Sequence, residues 1–132
     1  MRYKFPSQEW MEQYLQIVNT SATYAKAAEN WEGDVLLVVD GMAAVYLDLW
    51  HGECRAADYF AFDLPAPNEE PPAEYRISAP LAVWQRVLSR KLDPIQGMMT
   101  GQIRLQGNLV KVMQNVRAAR ELVYCATQVA TE

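Results

Sequence analysis

The chain has 132 residues, of which 51% are hydrophobic and 21% charged, as in an ordinary soluble protein of one domain spanning residues 1–132. Its formal net charge of -4 argues against a nucleic-acid partner and gives no electrostatic signal for an anionic membrane. The opening "MRYKFPSQEW" lacks the apolar core of a signal peptide, and no apolar run reaches the ~18 residues that span a bilayer. Composition therefore predicts a soluble cytoplasmic protein.

The two cysteines, Cys54 and Cys125, lie far apart and form no Cys-x-x-Cys pair. We expect two reduced, partly buried thiols in a reducing compartment, and a disulfide between them is the alternative.

The first elements in chain order are two helices. Ser7 is a good N-cap for a helix whose apolar residues recur at helical spacing from Trp10 to Val18. The polar triplet at 19–21 predicts a break, and the alanine-rich "ATYAKAAENW" predicts a second, short helix.

Three strands follow. "GDVLLVVDG" is a β-branched apolar run bounded by turn residues, which is typical of a central strand. In "AAVYLDLWHGE", Val45, Leu47 and Leu49 alternate with polar or aromatic residues, which predicts one buried face. Turn residues at Asp40-Gly41 and His51-Gly52 join these runs to "CRAADYFAFD", so we expect an antiparallel meander.

The second half alternates strands with helices. "LPAPNEEPPAE" is predicted to be an exposed loop, "YRIS" a strand, and Pro80 to Leu92 a helix with period 3.6. Asp93-Pro94 ends that helix or starts a new turn. "GQIRLQG" predicts a last strand, and Asn108 caps a final helix with an apolar stripe through Val123. This order predicts an α+β fold with helices covering one sheet face.

Few residues offer chemistry. His51 lies in a predicted turn without partners at ligand spacing, so neither a metal site nor a catalytic triad is indicated. The aspartates at 40, 48, 58 and 63 fall at turns or on outward strand positions, where solvated charge is expected. Gly97, Gly101 and Gly107 lack the lysine and the strand-to-helix context of a phosphate-binding loop. No catalytic residue, metal or cofactor is predicted.

The methionines at 98, 99 and 113 flank the last predicted strand. Flexible thioethers line irregular cavities well, yet they equally serve as fillers of a solid core. The residues alone leave both interpretations open.

The passage "KLDPIQGMMTGQIRLQGN" resembles the sterol carrier protein 2 family of lipid-binding domains. A helix ending in Leu-Asp-Pro, an apolar-Met-x-Gly step, a strand and a further glycine carry the likeness. "FPSQEW", "WEGDVLLVVDG" and "YRISAPLAVWQRVLSRKL" agree with it, so the resemblance extends over nearly the whole chain.

The resemblance implies a five-stranded, mostly antiparallel sheet with helices on one face. It also implies an apolar tunnel between sheet and helices for a fatty acid, acyl-CoA, sterol-like or phospholipid ligand, and no catalytic residues. The lining carried over from the family comprises Met98, Met99, Ile103, Leu105, Leu109, Val112, Met113 and Val116. Periodicity extends this predicted lining to Phe60, Phe62, Trp84, Leu88 and Ile95.

The chain departs from the family pattern at three points, one of which is a longer acidic, proline-rich loop near Asn68 that is expected to alter the tunnel mouth. The chain also ends "VATE" rather than in a Ser-Lys-Leu peroxisomal signal, which favours the cytoplasm. Asn108 stands where an acidic residue commonly follows the glycine, which changes only the helix cap.

Three functions are compatible with the sequence. The first is a non-catalytic lipid carrier that makes transient contact with membranes. The second is an accessory domain with a filled core, for example within a homodimer. The third is an enzyme acting on an acyl or steroid substrate, which would need a polar group of shifted pKa facing the cavity.

Overall fold

The computed structural model describes residues 2–61 and 73–132, and within them a five-stranded sheet carries the fold. Its strands are β1 (Glu32–Val39), β2 (Ala43–Trp50), β3 (Glu53–Ala61), β4 (Tyr75–Ala79) and β5 (Arg104–Gln106), in the spatial order β3-β2-β1-β4-β5. Among the strand pairs of these described residues, β1–β4 is parallel and the other three are antiparallel. The predicted α+β class, the antiparallel meander and the central position of β1 are confirmed.

Six helices accompany the sheet in the described ranges. They are α1 (Gln8–Thr20), α2 (Ala22–Ala27), α3 (Leu81–Leu88), α4 (Pro94–Met99), α5 (Leu109–Gln114) and α6 (Val116–Thr127). Side-chain caps from Ser7, Ser21, Asp93 and Asn108 satisfy free amides at the start of α1, α2, α4 and α5. The predicted helix starts at Ser7 and Asn108 are therefore confirmed.

The core lies between the helices and one face of the sheet. Val45, Leu47 and Leu49 of β2 all point into it, as their alternation predicts, whereas Trp50 on the other face is partly exposed. A second, small cluster around Leu36 is buried on the reverse face. Because one face is apolar along the central strands, the helices can bury their own apolar faces against it.

Two predicted helices are shorter than their periodicity suggests. The helix from Pro80 ends at Leu88 rather than Leu92, because Arg90 adopts a left-handed conformation (φ 63°) before Asp93 caps the next helix. The final helix is broken at Asn115, whose side-chain amide donates to the Lys111 carbonyl oxygen at 2.8 Å. This break divides the single predicted helix into α5 and α6, which bury different faces.

The edge strand β3 is irregular and partly capped. Asp48 pairs with Ala56 while Leu49 pairs with Cys54, so Arg55 is the extra residue of a β-bulge. At Cys54 the backbone N–H donates to the Asn19 side chain at 2.7 Å, and the Cys54 carbonyl accepts from the same side chain at 3.0 Å. The end of α1 thus occupies one backbone position of the sheet edge.

A substitution at Gly52, in the β2–β3 turn, tests how tightly this turn packs against α2. Gly52 has φ +85°, and an added Cβ would lie 2.6 Å from the Ala25 carbonyl oxygen. We expect Gly52→Ala to lower the free energy of unfolding by about 2–4 kcal/mol, because left-handed strain and a backbone clash add together. Urea denaturation measures this change.

Gly41→Ala is the matched control. Gly41 also has a left-handed φ of +71°, but an added Cβ meets nothing within 4 Å. We expect Gly41→Ala to lower the free energy of unfolding by only about 1 kcal/mol, which is the cost of the left-handed backbone conformation alone. Equal losses in the two variants would show that the contact with Ala25 is unimportant.

Candidate functional site

Two small apolar cavities lie between the sheet and the helices. The first has a volume of about 30 Å³ and the second about 20 Å³. The first is lined by Tyr24, Trp31, Val35, Leu49, Tyr75, Ile77, Met98, Leu105, Val112, Ala118, Ala119 and Leu122. The second is lined by Phe5, Pro6, Trp10, Tyr14, Leu37, Val39, Ala43, Ala44, Val45, Trp84, Val87, Leu88, Val123 and Ala126. Each volume accommodates one or two water molecules and no lipid tail.

The two cavities are neighbours along the same sheet face. On β2, Leu49 lines the first and Val45 the second, and the fully buried Leu47 lies between them. Opposite, the Tyr14 hydroxyl donates to the Leu122 carbonyl oxygen of α6 at 2.6 Å. Leu47, Tyr14 and Leu122 therefore form a partition between the cavities.

A basic side chain of α5 lies beside the first cavity. The Lys111 ammonium is 5.1 Å from the centre of the Trp31 ring and 5.8 Å from that of Tyr75, two residues of the lining. It donates to the Glu32 carbonyl oxygen and lies 3.8 Å from the Glu74 carboxylate. Such contacts combine cation–π attraction with a charge-assisted hydrogen bond, so they hold α5 against the start of β1.

Five of the residues predicted to form the lining border the cavities. Met98, Leu105 and Val112 line the first, and Trp84 and Leu88 line the second. The predicted set thus divides between two separate cavities.

Five others lie elsewhere or outside the described residues. Ile103 is buried in the core, where an added Cβ on Gly97 would lie 2.7 Å from its Cδ1 atom. Gly97 is therefore needed for close packing inside α4. The side chains of Phe60, Ile95 and Val116 are half-buried and border neither cavity. Phe62 lies outside the described residues.

The remaining three point to solvent. Met99 is 83% exposed, Met113 70% and Leu109 54%. Sequence periodicity predicts Leu109 and Met113 on the buried stripe of one long helix, and the break at Asn115 rotates them outward.

Several lining residues were not predicted as such. Trp31, Val35 and Tyr75 from the sheet side and the alanines 118 and 119 of α6 complete the first cavity. The strand alternation identifies Val35 as inward-facing, but nothing in the sequence distinguishes an inward residue beside a void from one in solid packing.

Burial favours the neutral form of a phenol and two thiols in the core. Burial raises the pKa of the Tyr14 phenol well above its ordinary value and raises the pKa of the Cys54 thiol to about 11. Burial likewise raises the pKa of Cys125, and both cysteines are free and buried. A thiol with a raised pKa is a poor nucleophile at neutral pH.

The described ranges contain no group of three or more His, Cys, Asp or Glu side chains able to hold a metal ion. His51 instead contacts the Glu29 carbonyl oxygen and the Glu32 carboxylate. In the same part of the chain, every helix is too short or too polar to cross a membrane.

Comparison with known proteins identifies the family. The model of the SCP-2 sterol transfer family matches residues 11–120. The chain belongs to this family. A crystal structure of sterol carrier protein 2 is 36% identical, with a TM-score of 0.86 over 96% of this chain and 100% of that one. The predicted resemblance is thereby confirmed.

Two further structures extend the comparison. A conserved protein of Thermus thermophilus, described as a candidate sterol carrier protein, is 36% identical over 96% of this chain and 90% of its own, with a TM-score of 0.78. The apo form of sterol carrier protein 2 from Yarrowia lipolytica shares the fold at 17% identity, with a TM-score of 0.58 over 96% of each chain. No curated protein matched the chain. Membership of the SCP-2 family supports lipid binding or lipid transfer as the general activity.

The partition predicts a pH dependence of stability. The unfolded chain releases the Tyr14 proton near pH 10, whereas the folded chain keeps it because burial raises the pKa. The folded state then binds more protons, so its stability falls as the pH rises above 10. Tyr14→Phe should make that fall shallower by about 1.4 kcal/mol per pH unit.

Urea denaturation of both proteins between pH 7 and 11 measures the difference. At pH 7 the variant should be less stable by about 1–2 kcal/mol, since the Leu122 carbonyl oxygen loses its buried donor. Stability curves that stay parallel above pH 10 would contradict the assigned protonation state.

Proposed function

We propose that this chain is a non-catalytic cytoplasmic lipid-binding and lipid-transfer protein. It holds the apolar part of a fatty acid, acyl-CoA, sterol-like or phospholipid ligand between the sheet and the helices, in one lipid-binding domain over residues 1–132. The observation that carries this proposal is the pair of apolar cavities aligned on the helix-covered face of the sheet. Family membership supports it independently.

The proposed tunnel requires the cavities to expand and join. Ligand pockets have volumes of roughly 300–1,000 Å³, which is about six to twenty times the volume of the two cavities together. The partition consists of side chains, and only one hydrogen bond between the described residues, from Tyr14 to the Leu122 backbone, crosses it. The flexible Met98 in the first lining can adapt to chains of different shape. The structure therefore corresponds to a closed, ligand-free state in this proposal.

The energetics favour exchange rather than permanent capture. Burying a tail of about fifteen methylenes yields on the order of 10 kcal/mol of gross transfer free energy. Association entropy and the opening of the cavities offset much of this gain. Since a bilayer offers a similar gain per methylene, the protein only has to compete with the membrane. Reversible uptake through transient membrane contact, with loose selectivity among chains, follows from this balance.

Two alternatives make different predictions. An accessory domain, monomeric or within a homodimer, would keep its core filled and bind no lipid. The small volumes of the two cavities are the observation that favours this alternative, because they leave no open tunnel in the closed structure. An enzyme would need an ionisable group poised near pH 7 in the cavity, whereas burial shifts the pKa values of Tyr14 and Cys54 away from that range.

Filling the first cavity tests the proposal directly. Ala119 is a half-buried lining residue, so Ala119→Leu adds three carbon atoms where the tail should lie. We expect a fluorescent long-chain fatty acid to bind at least about tenfold more weakly, because the tail loses the space for two or more methylenes. The free energy of unfolding should change by less than about 2 kcal/mol.

Ala82→Leu is the matched control, because Ala82 is an exposed position of α3 away from both linings. Native mass spectrometry of protein purified from cells, followed by lipid extraction, then identifies the natural ligand. Equal fatty-acid affinity in both variants would contradict binding of the tail in the first cavity. Purified protein with no lipid and no fatty-acid binding would favour the accessory domain.

A further inference from the structure

Helix α5 exposes most of its apolar side chains to solvent, which is unusual for a helix at the surface of a protein. Of its four apolar side chains only Val112 is buried, while Leu109, Val110 and Met113 are 54%, 67% and 70% exposed. A surface helix normally buries its apolar face against the core. Three exposed apolar side chains against one buried side chain indicate that α5 has an apolar partner on its outer side.

Helix α4 covers the same cavity as α5 and also exposes an apolar side chain. Met98 of α4 and Val112 of α5 both line the first cavity, so the two helices cover that cavity together. On the outer side α4 presents Met99, which is 83% exposed. We call Met99, Leu109, Val110 and Met113 the α4–α5 surface. They are the four most exposed large hydrophobic side chains in the described part of the chain.

The segment that carries this surface is basic in sequence, although the chain as a whole is acidic. Residues 94–120 contain four basic residues and no acidic one, although the chain carries a net charge of -4. Arg104 and Arg120 are exposed and contact Asp40 and Asp93 at the margins. Arg117 is exposed and forms no ion pair within residues 2–61 and 73–132. Segment 94–120 is therefore basic and apolar, although the net charge of the whole chain is negative.

A bilayer that contains anionic lipid matches both properties. Exposed apolar side chains insert at the acyl boundary, and neighbouring Lys and Arg side chains bind anionic headgroups. A second copy of the chain fits less well, since two basic segments would face each other. We propose that the α4–α5 surface docks on an anionic bilayer and that docking opens the first cavity toward it, an inference that rests on the proposed lipid-transfer function.

Lys111 couples docking to opening. In the closed state its ammonium donates to the Glu32 carbonyl oxygen and lies over the Trp31 ring. An anionic headgroup competes for the same ammonium, and when Lys111 leaves, Val112 is the remaining buried anchor of α5. Gly107, with φ +133°, and the break at Asn115 flank α5, so it can swing outward as a unit.

Vesicle flotation tests the docking surface. The wild-type protein should float with vesicles of equal parts phosphatidylcholine and phosphatidylglycerol, and about tenfold less with phosphatidylcholine alone. The paired substitution Val110→Gln with Arg117→Gln should weaken binding to the mixed vesicles by about tenfold or more, because it removes one inserting side chain and one charge. The matched control, Met42→Gln with Lys26→Gln, removes the same residue classes from exposed positions elsewhere and should bind like the wild type.

Binding of a fluorescent long-chain fatty acid without vesicles separates this inference from the proposed function. Retained fatty-acid binding with lost vesicle binding in the first variant supports the docking surface. Fatty-acid binding by a wild type that ignores both kinds of vesicle, or equal flotation of the two paired variants, overturns the docking surface alone. Absence of both kinds of binding overturns the lipid-transfer function as well. Dimers that dissociate only in the first variant, seen by analytical ultracentrifugation, would assign the surface to a second copy and overturn the inference.

Discussion

The packing of Leu47 of β2, Tyr14 of α1 and Leu122 of α6 between the two cavities determines what the interior can contain. It stabilises the interior through apolar burial and through one buried hydrogen bond, which joins α1 to α6. It also keeps the space between the layers divided into two cavities, each far smaller than a lipid. Stability and capacity therefore oppose each other at the same three residues. In the proposed function, the chain therefore has to give up part of its core packing whenever it takes up a ligand.

Much of the fold could be predicted from the sequence because its strands are strongly patterned. The alternation of β2 and the β-branched run of β1 identify the buried face, and the turn residues between them fix an antiparallel pair. The family resemblance then supplied the five-stranded sheet. The ends of two helices were harder to predict, because Arg90 adopts a left-handed conformation that is uncommon for arginine and the Asn115 side chain bonds back to the Lys111 carbonyl oxygen.

The site could be predicted only in part, for a physical reason. A cavity is a difference between neighbouring side-chain volumes, and these neighbours come from strands and helices far apart in sequence. Periodicity marks Val35 as buried, but it does not show that Ala119 leaves space opposite the sheet. The prediction that Leu109 faces the interior is wrong for a different reason, which is the break between α5 and α6. Its position in the helical repeat is correct for α5 continued into α6, and the helix is not continuous there.

The irregular edge strand has a consequence for how such a protein behaves when crowded. The unpaired backbone groups of a long, flat edge strand can pair with a strand of another chain. This kind of aggregation is most favourable when the edge strand is hydrophobic. Here the bulge at Arg55 interrupts the ladder, and the Asn19 amide occupies both backbone groups of Cys54. The opposite edge, β5, is only three residues long. Both edges of the sheet thus offer few free backbone positions in register, which disfavours the addition of a strand from another chain even though the protein exposes apolar side chains elsewhere.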